Sequence, residues 1–137
     1  MKWTVKFHDE FDPEFDELAQ DVKDELLAEA EFVEMFGPET IRPHVDKLHG
    51  SEYTNMKELR FEAADGEWRV AFAFDPKREA ILLVAGDKTG GSSKKFYKAL
   101  TDKADARYTR HIEKLKAEEK AKVAKAASIK GGKKGKK

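Results

Sequence analysis

The feature of the sequence that most restricts its fold is a pair of alternating segments that meet at a turn dipeptide. Met56–Ala63 and Glu67–Asp75 each alternate apolar and polar residues, with Asp65-Gly66 between them. This pattern is typical of a β-hairpin closed by a short turn. If Ala64 pairs with Glu67, both apolar sets fall on the same side of the hairpin, so we predict this register. The apolar sets are Leu59, Phe61 and Ala63 on the first strand, and Trp68, Val70, Phe72 and Phe74 on the second.

The other face of the hairpin combines charged residues with small ones. Its members are Glu58, Arg60 and Glu62 on the first strand, and Arg69, Ala71 and Ala73 on the second. The predicted register puts Arg69 opposite Glu62 and Arg60 opposite Ala71. The two guanidinium groups are then close together, and the small neighbours leave space for a flat or extended ligand. The alternative is a solvated face on which Arg69 pairs with Glu62, and Arg60 with Glu58.

Apolar spacing predicts the remaining elements. Alternation at Trp3, Val5 and Phe7 predicts an opening strand, and the apolar run over residues 80–85 predicts a strand covered on both faces. Asp12-Pro13 is a favourable start, with Asp12 as N-cap, for one helix that Gly37-Pro38 ends. Residues 40–48 are predicted as a second, short helix. A last helix carries apolar residues at helical spacing: Phe96, Leu100, Ala104, Tyr108, Ile112 and Leu115.

These elements predict a compact α+β domain of order β-α-α-β-β-β-α, with a mostly antiparallel sheet and a long C-terminal helix. We place this domain at residues 1–115. A Lys/Ala-rich basic extension follows at residues 116–137, where large apolar residues become scarce. We expect that helix to fray and the chain to become disordered from Ile129 onward.

Charge is segregated along the chain although it sums to zero. The 137 residues include 27 basic and 27 acidic ones. Residues 1–40 hold 13 acidic and three basic residues, whereas residues 114–137 hold ten lysines and two glutamates. Such asymmetry indicates separate surfaces with separate partners. A neutral sum therefore does not exclude nucleic acid.

Several kinds of site are excluded or disfavoured by composition and motifs. The absence of cysteine excludes disulfides and thiolate chemistry, and favours a reducing cytoplasm. No nucleotide-binding motif is present, and no apolar run approaches the length of a membrane span. The histidines lack metal-ligand spacing; they are His8, His44, His49 and His111. We therefore expect no cofactor, no metal, no membrane contact and a cytoplasmic location.

A basic and aromatic segment follows the apolar strand. Lys88 ends that strand, and Lys94, Lys95 and Tyr97 begin the last helix. Lysine binds phosphate, and tyrosine stacks on a base or transfers a proton. These residues extend the arginine face into a rim suited to RNA, although a half-buried helical position explains Tyr97 equally well.

Four sequence blocks carry a resemblance to a known family. They are residues 42–46 (RPHVD), 55–61 (NMKELRF), 68–76 (WRVAFAFDP) and 81–88 (ILLVAGDK). Together with Phe96-Tyr97 they resemble the phage-derived HigB-like branch of the RelE/ParE toxin superfamily, from about Met1 to His111. The resemblance implies the compact fold described above and a role as the toxin of a type II toxin–antitoxin pair.

The resemblance also implies an activity and partners. RelE-like toxins enter the ribosomal A site and cleave mRNA there without a metal, by attack of a ribose 2′-OH on the adjacent phosphate. Such a protein is an mRNA interferase, an endoribonuclease that inhibits translation, with the ribosome and mRNA as partners. A small helix-turn-helix antitoxin would be the cognate protein partner, and DNA would be contacted only through the antitoxin complex.

In that chemistry each candidate residue has an implied role. Arg60 and Arg69 would stabilise the phosphorane, and Tyr97, or in second place Glu58, would transfer a proton. Tyr97 serves as a base only if neighbouring cations lower its pKa. Lys57 would reach toward RNA from its strand end. Three further lysines would hold phosphates: Lys88, Lys94 and Lys95.

Two other functions are compatible with the same fold. One is a ParE-like inhibitor that binds DNA gyrase and catalyses nothing, and the other is a phage-derived binding or regulatory protein without toxicity. The arginine pair with Lys88 and Tyr97 favours RNA cleavage. The core departs from the family in being acidic, so its first helix is expected to face away from ribosomal RNA. The lysine-rich extension could supply the missing attraction.

Overall fold

The computed structural model describes residues 2–135, with side chains through residue 128. Its strands are β1 (Thr4–Phe7), β2 (Val45–Lys47), β3 (Met56–Ala63), β4 (Gly66–Phe74) and β5 (Glu79–Asp87). Its helices are α1 (Phe11–Asp16), α2 (Gln20–Phe36) and α3 (Ser93–Gly135). The strands form one sheet in the order β1-β5-β4-β3-β2, in which β1 is parallel to β5 and the other neighbours are antiparallel. The predicted α+β class with a mostly antiparallel sheet and a long C-terminal helix is confirmed.

Helices cover both faces of the sheet. α1 and α2 pack through Phe11 and Leu26 on the face that carries Leu59 and Phe72. α3 packs on the other face, where a second apolar cluster includes Met56, Ala71, Ile81, Leu83, Leu100 and Ala104. β5 supplies residues to both clusters in turn, as expected of a continuous apolar strand between two layers.

The register of the hairpin differs from the prediction by two residues. Ala63 pairs with Gly66, and the turn consists of Ala64 and Asp65, which have φ of 48° and 61°. Both central residues have positive φ, as a two-residue hairpin turn requires. Gly66 instead opens β4, where an added Cβ would lie 2.7 Å from the carboxylate of Asp87. The glycine thus leaves room for the Asp87 side chain beside β4 and is not one of the two turn residues.

This correction changes the cross-strand partners but not the faces, because a shift of two residues preserves the alternation. Arg60 lies directly opposite Arg69, and Glu62 lies opposite Glu67. The predicted pairings of Arg69 with Glu62 and of Arg60 with Ala71 are therefore wrong.

The single first helix of the prediction is two helices. α1 ends at Asp16, and Ala19 has extended backbone with φ −60° and ψ 148° before α2 begins. The break lets the aromatic residues of α1 and the apolar face of α2 contact the same core. Asp12 lies inside the first turn of α1, so the prediction that it is the N-cap is wrong.

The predicted second helix over residues 40–48 is also wrong. Residues 45–47 form the edge strand β2, in which Val45 pairs with Leu59 of β3. Pro43 lacks a backbone N–H and disfavours helical backbone at Arg42, and burial of Val45 against the sheet then stabilises the strand.

The helix α3 continues far beyond the sheet. Side chains at residues 116–128 are exposed throughout. Its backbone is helical to Gly135, past Ile129 where disorder was expected. Alanine and lysine favour helix over residues 116–128 even without packing. Lys136 and Lys137 lie outside the described residues. The domain boundary after residue 115 remains a prediction.

Candidate active site

Three polar side chains from three elements meet on the α3 side of the sheet. The Tyr97 hydroxyl donates a hydrogen bond to Oε1 of Glu58 at 2.9 Å. Nε of Arg69 donates to the Tyr97 hydroxyl oxygen at 3.2 Å and lies 3.4 Å from the same Glu58 oxygen. We call these residues the Glu–Arg–Tyr cluster. Three of the four predicted catalytic residues are thus in direct contact.

Small residues in the sheet make this convergence possible. Ala71 lies opposite Glu58, and Gly86 lies opposite Arg69. An added Cβ at Gly86 would come within 2.8 Å of the Phe96 ring. Gly86 therefore allows the first turn of α3 to approach the sheet, and this approach carries Tyr97 over β3 and β4.

Burial dominates the electrostatics of Glu58. Its side chain is only 4% exposed. Removal from water raises the pKa of Glu58 above its usual range, although the Tyr97 hydrogen bond and the charges of Arg60 and Arg69 act in the opposite direction. A carboxylate with a raised pKa binds a proton more readily, which is the property of a general base.

Tyr97 would act as a base only if its pKa were lowered, and its pKa is raised instead. Burial raises the pKa of its phenol, and the hydrogen bond to Glu58 adds to this effect, whereas the hydrogen bond from Arg69 opposes it. The hydroxyl therefore stays protonated and donates to Glu58. In this geometry Glu58 accepts the hydrogen bond and Tyr97 donates it.

The two predicted arginines differ in accessibility. Arg69 is 6% exposed and also donates through Nη1 to the Trp68 carbonyl at 2.9 Å. Arg60 is 30% exposed, and its Nη1 lies 3.9 Å from Oε2 of Glu58. Arg69 is therefore placed to hold the cluster together, while Arg60 is the arginine with donors available to a ligand.

Two residues that sequence reasoning did not select extend this face. Arg42 donates to Oδ2 of Asp46 through Nη2 at 2.6 Å and Nε at 3.0 Å, and this bond lowers the pKa of Asp46. The same oxygen lies 3.9 Å from Nη1 of Arg60. Asp46 was missed because its segment was predicted as helix; as a strand residue it lies opposite Glu58 and shares its face.

A pocket of ≈ 440 Å³ lies beside the cluster. Arginine side chains contribute much of its lining, and two exposed glutamates lie at the hairpin end. The lining residues are Arg42, Pro43, Arg60, Phe61, Glu62, Glu67 and Arg69.

The predicted phosphate-binding lysines are dispersed around the cluster. Lys57 pairs with Phe72 and faces the α2 side, where it lines a different pocket with Lys47 and Arg42. Lys88 follows β5, and its backbone N–H donates to the Glu67 carbonyl at 2.7 Å. Lys94 and Lys95 are exposed in the first turn of α3, close in sequence to Tyr97.

Across the residues that the structure describes, no three His, Asp or Glu side chains are grouped so as to hold a metal ion. Within those residues, no helix combines the length and apolar character needed to cross a bilayer.

Comparison with protein families identifies the group to which this chain is related. The family described as Phage derived protein Gp49-like (DUF891) matches residues 13–109. The chain belongs to this family. The match includes the hairpin and the Glu–Arg–Tyr cluster and ends before the lysine-rich extension. The resemblance to the phage-derived HigB-like branch is confirmed.

Two curated relatives come from Mycobacterium tuberculosis (strain ATCC 25618 / H37Rv). The protein named "Putative toxin HigB3" is 47% identical over 73 residues, which are 53% of this chain and 62% of that protein. "Putative toxin HigB2" is 40% identical over 88 residues, which are 64% of this chain and 43% of that protein. The chain thus matches less than two thirds of the length of either relative.

A solved structure shares the fold. It is an arginine-to-alanine double mutant of E. coli toxin RelE in the free state, with a TM-score of 0.54 and 13% identity. The match covers 75% of this chain and 97% of that one. At this identity the similarity shows the RelE-like fold alone.

Proposed function

We propose that this protein is the toxin of a type II toxin–antitoxin system and that it cleaves mRNA in the ribosomal A site without a metal. The observation that carries the proposal is the hydrogen bond from Tyr97 to the buried carboxylate of Glu58, beside two arginines on one sheet face. Membership in the Gp49-like family and similarity to two proteins named as HigB toxins support the same assignment.

The proposed reaction begins with proton removal from a ribose 2′-OH. Tyr97 accepts the 2′ proton as it passes its own to Glu58, so the cluster gains one proton in total. The 2′ oxygen forms a bond to the adjacent phosphorus, and the bond from phosphorus to the 5′ oxygen breaks. The products are a 2′,3′-cyclic phosphate and a 5′-hydroxyl that takes its proton from solvent.

The arginines have distinct parts in this reaction. Arg60 faces the pocket and donates to the non-bridging oxygens, where negative charge develops in the phosphorane. Arg69 keeps Glu58 and Tyr97 in place and offsets the charge of the carboxylate. Three lysines near the start of α3 hold the flanking backbone: Lys88, Lys94 and Lys95. Lys57 faces the other side of the sheet and takes no part in the chemistry.

The antitoxin is the second proposed partner. We propose a small helix-turn-helix protein encoded beside this chain, through whose complex DNA is contacted. Copurification of the two coexpressed proteins, and loss of toxicity on coexpression, are the expected results. A chain that arrests growth equally with and without its neighbouring gene product would contradict this pairing.

The test of the activity is induced expression of the wild-type protein and of E58Q, followed by mapping of transcript 5′ ends. We expect growth arrest with codon-phased cuts in translated messages, and a loss of these cuts in E58Q by about 10²–10⁴-fold. E113Q, an exposed glutamate changed in the same way on α3, is the control and should cut as wild type does.

Growth arrest without codon-phased cuts would overturn the assignment. Inhibited DNA supercoiling in that case would indicate the gyrase-binding alternative. Absence of any arrest from well-expressed, folded protein would instead favour the regulatory alternative.

A further inference from the structure

Arg42 and Asp46 form an ion pair that has no part in the proposed cleavage reaction. Arg42 is 72% exposed, yet its guanidinium is fixed by two hydrogen bonds to one oxygen of Asp46. An exposed arginine ordinarily samples many rotamers, and holding it in one costs conformational entropy. Here the geometry is restricted before any ligand arrives, which lowers the entropic cost of binding one.

Asp46 links this arginine to the cluster. Its Oδ2 contacts both Arg42 and Arg60, at 2.6 Å and 3.9 Å. The two guanidinium groups therefore lie side by side at the edge of the sheet, and both line the pocket next to Glu58. Strand alternation explains the position, because Asp46 pairs with Glu58 and so faces the same way.

The donors of Arg60 remain available. Both carboxylates near its Nη1 lie 3.9 Å away, which is too long for a hydrogen bond. A half-buried guanidinium has five N–H donors, and a phosphate in the pocket would satisfy those that point into it. Glu62 and Glu67 line the hairpin end of the pocket and repel anions there. A phosphate is therefore directed toward the end that carries Arg42 and Arg60.

We propose that Arg42, positioned by Asp46, binds the RNA backbone phosphate next to the one that Arg60 contacts. This inference rests on the proposed cleavage of RNA and assigns it a second phosphate position. Asp46 acts as a positioning residue, since it touches the arginines and not the RNA. The ligand at this position is the sugar–phosphate backbone of a single strand, so it contributes affinity and register without sequence preference.

The first experiment measures cleavage of mRNA on programmed ribosomes at several salt concentrations. We expect R42A to raise KM about tenfold with little change in kcat, because a charge-assisted hydrogen bond used equally in ground and transition states is lost. The dependence of log(1/KM) on log[salt] should become shallower by about 0.7, the value for one phosphate contact on a single strand. The matched control is R110A, which changes an exposed arginine that likewise pairs with a carboxylate, that of Glu10. It should leave KM unchanged.

The D46N variant separates two explanations of the role of Asp46, because they predict opposite changes in KM. Removing a negative charge near RNA strengthens binding if Asp46 is only a repulsive acid. Loss of the hydrogen bonds that fix Arg42 weakens binding if Asp46 positions that arginine, and this is the result we expect. A lower KM for D46N would overturn its assignment as a positioning residue.

A ribosome-free measurement separates failure of this inference from failure of the proposed function. The probe is a short single-stranded oligonucleotide with 2′-deoxy sugars, which binds but is not cleaved. We expect NMR shifts at the Nε–H groups of Arg42 and Arg60 and none at Arg110. A wild-type protein that cleaves messages but shows no shift at Arg42, or an R42A variant with wild-type KM and salt dependence, would overturn the phosphate position alone.

Discussion

At the scale of single residues, environment decides chemistry more than residue type does. Glu58 and Glu62 are four residues apart on β3 and share a face. Glu62 is exposed, whereas Glu58 is buried beneath Tyr97 and has a raised pKa. Only the buried carboxylate combines an affinity for protons with a fixed donor, so the two glutamates have different capacities for catalysis.

This difference predicts the pH dependence of cleavage. A general base works only when ionised, so kcat should fall as pH is lowered through the raised pKa of Glu58, above the ~4.3 of an ordinary glutamate. Y97F should cleave far more slowly, because it removes the hydroxyl that passes the 2′ proton to the buried carboxylate of Glu58. E58Q should lose this acid limb together with most of the activity.

The measurement is single-turnover cleavage on programmed ribosomes over a range of pH. If the cleavage rate of E58Q fell at low pH as that of the wild type does, a group other than Glu58 would be responsible for the acid limb. The pKa of Tyr97 is raised, so its ionisation should not shape the profile near neutrality.

At the scale of elements, a buried arginine joins the two helical layers. Arg107 of α3 donates to both oxygens of Glu14 in α1, at 2.7 Å and 2.6 Å, and to the Leu83 carbonyl at 2.8 Å. It is 6% exposed, whereas Glu14 is 44% exposed. The pair fixes the position of α3 relative to β5, and α3 carries Tyr97.

The pair predicts an acid-sensitive contribution to stability. E14Q should lower the free energy of unfolding by about 1–2 kcal/mol at neutral pH, because it leaves the charge of Arg107 buried, although the exposure of Glu14 moderates the cost. The hydrogen bond from Arg107 lowers the pKa of Glu14. The ionised Glu14 carboxylate therefore contributes its full stabilisation above the pKa that Glu14 has in the unfolded chain. This stabilisation is lost as pH falls through the lower pKa of Glu14 in the folded protein.

Urea denaturation at neutral and acidic pH checks this, with the exposed E17Q as control. The difference between wild type and E14Q should shrink on acidification. A difference that is constant with pH would show that the charge of Glu14 contributes nothing.

The elements that sequence patterns predicted well are those with one strong periodicity. β4 and β5 are long, apolar and correctly placed, since their alternation or continuity needs no information about neighbours. β2 was mistaken for helix because three residues carry too little periodicity, and only pairing with β3 stabilises them as a strand. The break after α1 was missed for a similar reason, since the apolar spacing continues across it.

At the scale of the whole molecule, opposite charges occupy different parts of the structure. The acidic residues of the first 40 positions belong mainly to α1 and α2, on the face opposite to the Glu–Arg–Tyr cluster. Lysines are concentrated on the part of α3 that extends past the sheet, where side chains through residue 128 are exposed. The acidic layer can therefore face away from RNA while the cluster and the extension approach it.

This arrangement predicts the effect of removing the extension. A chain truncated after Leu115 should keep its melting temperature, because the described residues beyond it are exposed. It should bind ribosomes more weakly and with a shallower dependence on salt, since fewer counterions are released. Ribosome binding across a salt series checks this, and an unchanged slope would show that the lysines do not contact RNA.

The sequence by itself determined the class of the fold, the two faces of the hairpin and the set of residues worth testing. These follow from local periodicity, and an error of two residues in register leaves the assignment of residues to the two faces unchanged. Only the tertiary structure decided that Arg60 lies opposite Arg69, that Tyr97 donates to Glu58, and that Asp46 joins the same face. Those facts depend on contacts between distant segments, such as the approach of α3 to the sheet at Gly86, and on the burial that shifts the pKa of Glu58. Burial and contact are properties of packing, so residue order alone does not reveal them.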